Sequence, residues 1–420
     1  MIAKLSDFKD RASLFEAASL LEIHPDTIRR WEKKALIKGE RDPSGKRFFS
    51  LAEIDRTNKK YLSNGDSGGT YKIHRRKKSK YTAIELFAGC GGLALGFKNA
   101  GISSRLLVER DRDCVATLKM KELGAEVIGA DVGTVDFNRW RGSADIVSGG
   151  FPCQAFSFAG HGKGFVDTRG TLFFEFARCV EEVMPKIALG ENVRGLLMHD
   201  NGRTIETMKK SLRDLGYRVF THLCRAQFHD VPQKRERLFI VGLRADFFDQ
   251  SAEAFFPKEN NYTVSLKEAL KDCPGSLGQK YPPKKASVMK LVPEGGYWKD
   301  LPQHIQKKYM GGSYFLGGGK TGMARRLSWD EPSLTLTCNP AQKQTERCHP
   351  KENRPLNIRE YARIQTFPDN WTFAGSVASQ YRQIGNAVPV NLGFHIGRCL
   401  VGRLDGNFDD KTMVREKEWS

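Results

Sequence analysis

No two cysteines in this 420-residue sequence are spaced C-x-x-C. The nine that occur are irregularly scattered, which excludes a disulfide framework or a zinc ribbon and reads as reduced thiols in a cytosol. No run of about 18 or more apolar residues occurs, so no transmembrane helix is expected. The opening stretch, MIAKLSDFKDRAS, has neither an apolar core nor a small-residue cleavage site, which argues against export. Negative charge is scarce too: 49 Asp and Glu face 68 Lys and Arg, for a formal net charge of +19. A surplus of that size points to a polyanionic partner. It is uneven, because residues 1–80 carry 20 basic side chains against 11 acidic ones.

At this length two or three domains and a well-buried core are expected. Residues 1–62 contain a compact, mostly helical unit. Residues 63–80, SNGDSGGTYKIHRRKKSK, open with Gly, Ser, Asn and Asp and end in a basic run, a composition that predicts a flexible linker with a phosphate-attracting end. Over 81–245, short apolar runs alternate with helical segments, the pattern of a doubly wound α/β sheet. Strands are expected at 82–87, 104–109, 126–130, 144–148, 186–190, 217–223 and 237–243. Helices are expected at 91–100, 112–122, 171–184 and 202–215. Residues 246–355 are rich in Gly, Pro, Lys and polar side chains without a clean period, which predicts a smaller, irregular domain shaped by its ligand. Helical patterning returns at 357–366 and 389–403, inside a C-terminal segment of 356–404. Residues 405–420 read as a frayed polar tail.

The segment ELFAGCGG (85–92) follows the first strand and opens a helix. Gly89, Gly91 and Gly92 allow a sharp turn and close approach of a ligand to the backbone beside a helix N-terminus. Glu109 ends the second strand, where an acidic side chain accepts from ribose hydroxyls. Asp131 ends the third, where a carboxylate is placed to accept from an adenine amino group. The strict G-x-G-x-x-G pattern is not met, and a Rossmann dehydrogenase or plain surface carboxylates would also account for these residues.

The stretch GGFPCQAFSFAG (149–160) follows the fourth strand. Ligands of open α/β sheets bind beyond the carboxyl ends of strands, which places Cys153 at that edge. Pro152 stiffens the chain before it, and the flanking glycines and polar residues favour an exposed thiol over a buried structural one. ELFAGCGG, GGFPCQAFS, ENV (191–193), QKRER (233–237), REYARIQTFPDNW (359–371) and QIGNAVP (383–389) occur in one order. In that order they resemble the DNA cytosine-5 methyltransferase family, from residue 81 to about 404. Glu85 stands where Asp is commoner, and Asn357 where Thr is commoner; neither position is expected to carry the chemistry.

The resemblance implies an enzyme that methylates carbon 5 of cytosine in duplex DNA, with S-adenosyl-L-methionine as cofactor. Cys153 becomes the nucleophile that adds to carbon 6, which makes carbon 5 able to attack a methyl group. Glu191 becomes the acid facing ring nitrogen 3, kept protonated by desolvation. Arg235 and Arg237 alternate along a strand and so share a face; Arg237 is assigned to the cytosine carbonyl, and Arg235 to ordering the active-site loop and a phosphate. Phe87, Ala88, Gly89, Gly91, Gly92, Glu109, Asp131 and Pro152 become cofactor contacts. Asn386 and Val388 complete that pocket from the C-terminal segment, which must therefore pack back on the first strands. A stacked cytosine cannot present carbon 6, so the base has to be flipped out, with the loop 154–169 as a lid. Recognition falls to 246–355, where Arg325, Arg326, Lys343, Gln344, Arg347 and His349 are candidate DNA contacts. The run RRLSWDEPSLTLTCNPAQKQTERCHP (325–350) faintly resembles enzymes that read short G·C-rich palindromes. A cytoplasmic restriction–modification setting with a partner endonuclease follows by analogy, with catalysis by a monomer.

Residues 13–54 resemble the helix-turn-helix of the MerR and excisionase type. Ala17, Ala18, Leu20 and Leu21 fit a first helix, and His24–Pro25–Asp26 a turn in which Asp26 caps the helix TIRRWEKK. Arg29 and Arg30 would face a major groove, and DPSGKRFF would form a small wing. Such a unit suits binding to an operator, added affinity for DNA, or a protein–protein contact. Two other functions compete for the whole chain: a tRNA cytosine-5 methyltransferase, and a transcriptional regulator with a vestigial methyltransferase body.

Overall fold

The structure is a computed structural model and describes residues 11–20, 25–33, 37–41, 45–57, 69–121, 123–152, 172–249, 251–317 and 320–416. The chain divides into two compact units, Met1–Asp66 and Ser67–Ser420.

The first unit holds β1 (Arg11–Ser13), α1 (Leu14–Leu20), α2 (Pro25–Lys33), β2 (Glu40–Arg41), β3 (Arg47–Ser50) and α3 (Leu51–Thr57). β3 lies between β1 and β2, antiparallel to both. The β2–β3 pair is the expected wing, and β1 was not foreseen. Ala17, Ala18, Ile28, Ile37, Phe49 and Ile54 form the buried core. Ser13 and Glu16 cap the start of α1 reciprocally: the Ser13 N–H donates to Glu16 Oε2 at 2.8 Å, and the Glu16 N–H to Ser13 Oγ at 3.4 Å. α2 starts at Pro25, so Asp26 is a helical residue and not the cap expected of it. Proline suits a first helical position because its φ is preset and no intrahelical N–H is lost. Arg29 is exposed. Leu21, His24 and the side chains of Leu20 and Arg30 lie outside the described residues.

The second unit is built on a seven-stranded sheet. Its strands are β4 (Thr82–Leu86), β5 (Ser103–Glu109), β6 (Glu126–Gly129), β7 (Ile146–Gly149), β8 (Ile187–Val193), β9 (Tyr217–Arg225) and, after the short β10 (Gln233–Lys234), β11 (Glu236–Arg244). The order is β6-β5-β4-β7-β8-β11-β9, parallel through β8, with β11 antiparallel to both neighbours. All four residues of Ile146–Gly149 are buried, as suits a strand covered on both faces. The chain leaves β4 toward β5 and β6 and returns to β7 on its other side, which puts the switch point, and thus the ligand crevice, between β4 and β7. Helices α4 (Gly92–Asn99), α5 (Arg112–Lys119), α6 (Leu172–Val183) and α7 (Arg203–Asp214) connect the strands.

Beyond β11 the chain forms β12 (Ala254–Pro257), the helices α8 (Leu266–Ala269), α9 (Pro283–Met289) and α10 (Gln303–Met310), and β13 (Ser333–Leu334), which pairs with β10. Then follow α11 (Ile358–Ile364), α12 (Val377–Asn386), α13 (Val390–Leu404) and β14 (Met413–Glu416). Leu93 and Phe97 of α4 share a buried cluster with Leu392 and Ile396 of α13, so the C-terminal segment does pack back on the first strands.

Three expectations are corrected by packing. The segment 69–80 is not a free linker but a strap laid on the body. The Tyr71 hydroxyl donates to Arg363 O at 3.1 Å, the Arg76 N–H to Asn99 O at 2.7 Å, and the Ser79 N–H to Gly101 O at 2.8 Å. The polar tail is not frayed throughout, because β14 pairs antiparallel with β12 and Met413 is buried. The irregular region does not begin cleanly at 246: Phe248, Ala254 and Phe256 join the core under β11, and Leu266 and Leu270 join the core under α11 and α12. The separate small core lies further on, around Met289, Val292, Trp298, Met310, Met323 and Cys348. No described helix is long and apolar enough to cross a membrane.

Candidate active site

At the carboxyl ends of β4, β5, β7 and β8 opens a cavity of about 930 Å³, within the range of roughly 300–1,000 Å³ usual for small-molecule sites. The ELFAGCGG turn forms one wall. Phe87, the first residue past β4, takes the left-handed region at φ 58, and Gly89 and Gly91 follow at φ 55 and 84. Gly92 opens α4 where only a glycine fits, since a Cβ there would stand 2.3 Å from Val388 O. This close approach brings QIGNAVP to the cavity wall.

Glu109 anchors the same turn. Its Oε2 accepts the Gly89 N–H at 2.8 Å, and its Oε1 accepts the N–H groups of Arg110 and Asp111 at 2.9 and 2.8 Å. A carboxylate offers about four acceptor sites, so one is left for a ligand hydroxyl. Asp131 follows β6 and caps the next turn through the Gly133 N–H at 3.0 Å. Its side chain is 53% exposed and lines the cavity.

Across the cavity stand Glu191 and Arg237. Antiparallel pairing sets Arg237 opposite Val193 and Glu191 opposite Phe239, so the two are diagonal neighbours. Arg237 Nε lies 2.6 Å from Glu191 Oε1, so the acid expected to stand alone in a desolvated site is instead half of an ion pair. Glu191 lies close against Gly150, where a Cβ would be 3.0 Å from its Oε2. Next to it, Asn192 Nδ2 donates to Phe151 O at 2.9 Å and so fixes the chain entering Pro152. Pro152 lines the cavity. Cys153 and the loop 154–169 lie outside the described residues.

Arg235 corrects its expectation. It falls between β10 and β11 and is buried, and its guanidinium donates to Leu336 O at 3.2 Å and Gly385 O at 3.1 Å. It therefore joins the recognition segment to the end of α12 while still lining the cavity.

The candidate DNA contacts separate by burial. Lys343 and Gln344 are exposed, and Arg325 is half-buried beside the Tyr297 ring. Arg326 is buried and donates to the carbonyls of Met289, Val292, His349 and Glu352, so it braces the small core and is not a reading residue. Arg347 is likewise buried, with its guanidinium committed to Thr335 O and Glu346 O. His349 is buried and accepts the N–H groups of Lys351 and Glu352 at Nδ1. Long polar side chains can snorkel or bury, and sequence alone does not separate the two.

Several cavity residues escaped the sequence reading. Glu85 is buried, its Oε2 has no partner among the described residues, and burial, followed by the charges of Glu109 and Glu191, pushes its carboxyl well above the usual range. Its apolar neighbours on β4 were the available signal. Cys338 reaches Asn386 Oδ1 at 3.1 Å from the LTLTCNP run. Arg382 contacts Asp111 at 3.2 Å beside the same cavity. Nothing local in the sequence marks these two.

Residues 81–401 match the C-5 cytosine-specific DNA methylase family, and residues 16–49 match the MerR family regulatory protein. The chain is 51% identical over 411 residues to the type II methyltransferase M.Eco47II of Escherichia coli, covering 96% of this chain and 98% of that protein. It is 51% identical over 334 residues to M.Sau96I of Staphylococcus aureus, with 79% and 78% covered. Among solved structures, a putative DNA modification methyltransferase encoded within an E. coli prophage aligns with a TM-score of 0.57 at 24% identity, over 78% of this chain and 100% of that one. A Spodoptera frugiperda DNMT2 mutant aligns with a TM-score of 0.51 at 17% identity, over 77% and 100%. These likenesses carry the fold, while the extent of the family match carries the relationship. The chain belongs to the C-5 cytosine-specific DNA methylase family.

Proposed function

We propose that this DNA cytosine-5 methyltransferase is the sequence-specific modification enzyme of a type II restriction–modification system, acting as a monomer on duplex DNA. The type II names of its relatives support that setting. The observation that carries the chemistry is one cavity whose lining takes in both Glu109 and Asp131 on one side and Glu191 and Arg237 on the other.

S-adenosylmethionine fits the first side. The left-handed turn after β4 and the Val388 carbonyl against Gly92 form a cradle open to an extended ligand. Glu109 retains an acceptor site for ribose hydroxyls, Asp131 offers one for an adenine amino group, and Phe87 offers a ring face. Asn386 and Val388 close the pocket from the C-terminal segment. When bound, this cofactor supplies the electrophilic methyl group.

On the second side, the Cys153 thiolate adds to carbon 6 of a flipped cytosine. Glu191 holds a proton or hydrogen bond at ring nitrogen 3 while negative charge builds on the ring. Arg237 binds Glu191 and the carbonyl at carbon 2, orienting both. After methylation, loss of the carbon-5 proton to a base or water lets the thiolate leave. Lys343, Gln344 and Arg325 face DNA in the recognition segment, and Arg29 does so in the amino-terminal unit. That unit binds operator DNA and represses the enzyme's own gene.

The test is transfer of tritium from labelled S-adenosylmethionine to unmethylated duplex DNA, with Cys153→Ser alongside. Label on carbon 5 of cytosine with wild type and none with the variant is the expected result. Label on tRNA but not on duplex DNA would move the substrate to RNA. For the amino-terminal unit, residues 1–80 should shift a promoter fragment; the absence of sequence-preferring binding would remove the regulatory role.

A further inference from the structure

The strap of residues 69–80 is joined to the body by a buried cluster that methyl transfer does not use. His74 Nε2 lies 2.9 Å, and His395 Nε2 3.0 Å, from the same atom, Asp230 Oδ2. One potential ligand atom from each residue falls within 4.8 Å of the other two. The three come from separate segments: the strap, the turn before β10, and α13. We propose that His74, Asp230 and His395 bind one divalent first-row cation of the zinc class, which fastens the strap to the catalytic body.

Asp230 and His74 are held by a second layer of contacts, as metal ligands normally are. The Tyr262 hydroxyl donates to Asp230 Oδ1 at 2.7 Å. Asn391 Nδ2 donates to Lys72 O and to Asp230 O, both at 2.8 Å, while its Oδ1 accepts the His74 N–H at 3.2 Å. The His74 ring stacks on Phe394 with centroids 5.0 Å apart. Asp230 itself takes the left-handed region at φ 56, where a non-glycine residue persists only if its surroundings determine it.

A second observation points to a ligand. His395 Nδ1 and both ring nitrogens of His229 are buried without a hydrogen-bond partner, and the two rings stand 5.7 Å apart. Buried polar groups are normally satisfied, and orphans of this kind call for an absent ion or water. Binding at Nε2 uses the imidazole lone pair there, so the ring proton moves to Nδ1. Two imidazoles and one carboxylate suit zinc or its neighbours, with water in the fourth place. Bonds of about 2.0–2.1 Å set tetrahedral ligand atoms about 3.3–3.4 Å apart, so each histidine moves from Asp230 by a few tenths of an ångström and the two histidine nitrogens, now within 4.8 Å, close to that same spacing.

The test uses the full chain made without a polyhistidine tag and dialysed into metal-free buffer. Elemental analysis is expected to find one first-row divalent ion per chain. Otherwise, titration of the metal-free protein with cobalt(II) is expected to give a visible absorption band that saturates at one equivalent. X-ray absorption of the zinc-loaded wild type is expected to report two imidazoles and no sulfur. His74→Gln, at the least buried of the three ligands, should weaken binding at least about tenfold with an unchanged circular dichroism spectrum. A wild type with no ion and no cobalt band overturns the proposal and leaves a hydrogen-bonded clasp. So does sulfur in the coordination shell, because the ion would then sit on cysteines. These readouts do not depend on methyl transfer, and the wild-type spectra decide the matter even if the variant fails to fold.

Discussion

Arg237 Nε and Glu191 Oε1 stand 2.6 Å apart within the cavity, held diagonally by the antiparallel register of β8 and β11. Both side chains are largely buried, at 12% and 13% exposure, so removing one leaves the other a poorly solvated charge. Arg237→Ala is therefore expected to lower the rate of methyl transfer by about 10²–10⁴, the range of a positioned acid–base group. Cofactor affinity should hold, because Glu109, Asp131 and the ELFAGCGG turn are untouched. Single-turnover transfer to duplex DNA, set beside cofactor binding by calorimetry, checks this. A rate that falls only in step with cofactor affinity would show that the pair supports the pocket and not the base.

Gly92 meets the Val388 carbonyl so closely that any side chain must displace backbone. Gly92→Ala is expected to destabilise the protein by roughly 1–3 kcal/mol, the usual cost of overpacking. It should also weaken cofactor binding, because the displaced segment carries Asn386. Thermal melting with and without cofactor reads both effects. An unchanged melting temperature would mean that QIGNAVP yields freely.

Glu109 accepts three backbone N–H groups from the two turns that frame the cofactor side. Glu109→Ala leaves those donors without their charged acceptor. Hydrogen bonds to charged groups contribute about 1.5–3 kcal/mol each, so loss of even one net bond predicts cofactor affinity weaker by roughly tenfold or more. The maximal rate at saturating cofactor should fall much less. Steady-state kinetics over a wide cofactor range separates the two, and an unchanged KM would refute the role.

The sheet was legible because each strand is an apolar run bounded by turn residues: 217–223 and 237–243 were expected, and Tyr217–Arg225 and Glu236–Arg244 were found. The same signal failed for β14, since Met413 and Val414 stand among charged residues and gain burial only by pairing with Ala254–Pro257. The strap reads as a linker because Lys72, Arg75, Arg76 and Lys77 are polar, yet its attachment lies in backbone groups, Tyr71 and His74. Glu109, Asp131 and Glu191 could be placed at strand ends, where spacing is informative. Arg326 and Arg347 could not, because five guanidinium donors serve buried carbonyls or phosphates equally well. Only tertiary packing tells those two uses apart.

Glu85 yields a prediction about pH. Its carboxyl is buried on β4 with an unpartnered Oε2, and burial, together with Glu109 and Glu191, raises its pKa well above the ordinary value. In the unfolded chain the same group ionises around pH 4.3. Below that pH both states hold the proton, and Glu85 exerts no pH-dependent drag on folding. As pH rises the unfolded chain releases its proton while the folded protein retains it, so stability is lost progressively until the folded value is reached. Glu85→Gln removes this titration without changing size. Its amide leaves a buried donor unsatisfied at every pH, so the absolute melting temperature is not the readout. The difference between variant and wild type is: it should rise in favour of the variant from about pH 4 toward pH 8. A difference that stays flat across that span would mean that Glu85 is ionised in the folded protein, with an unseen cation or donor beside it.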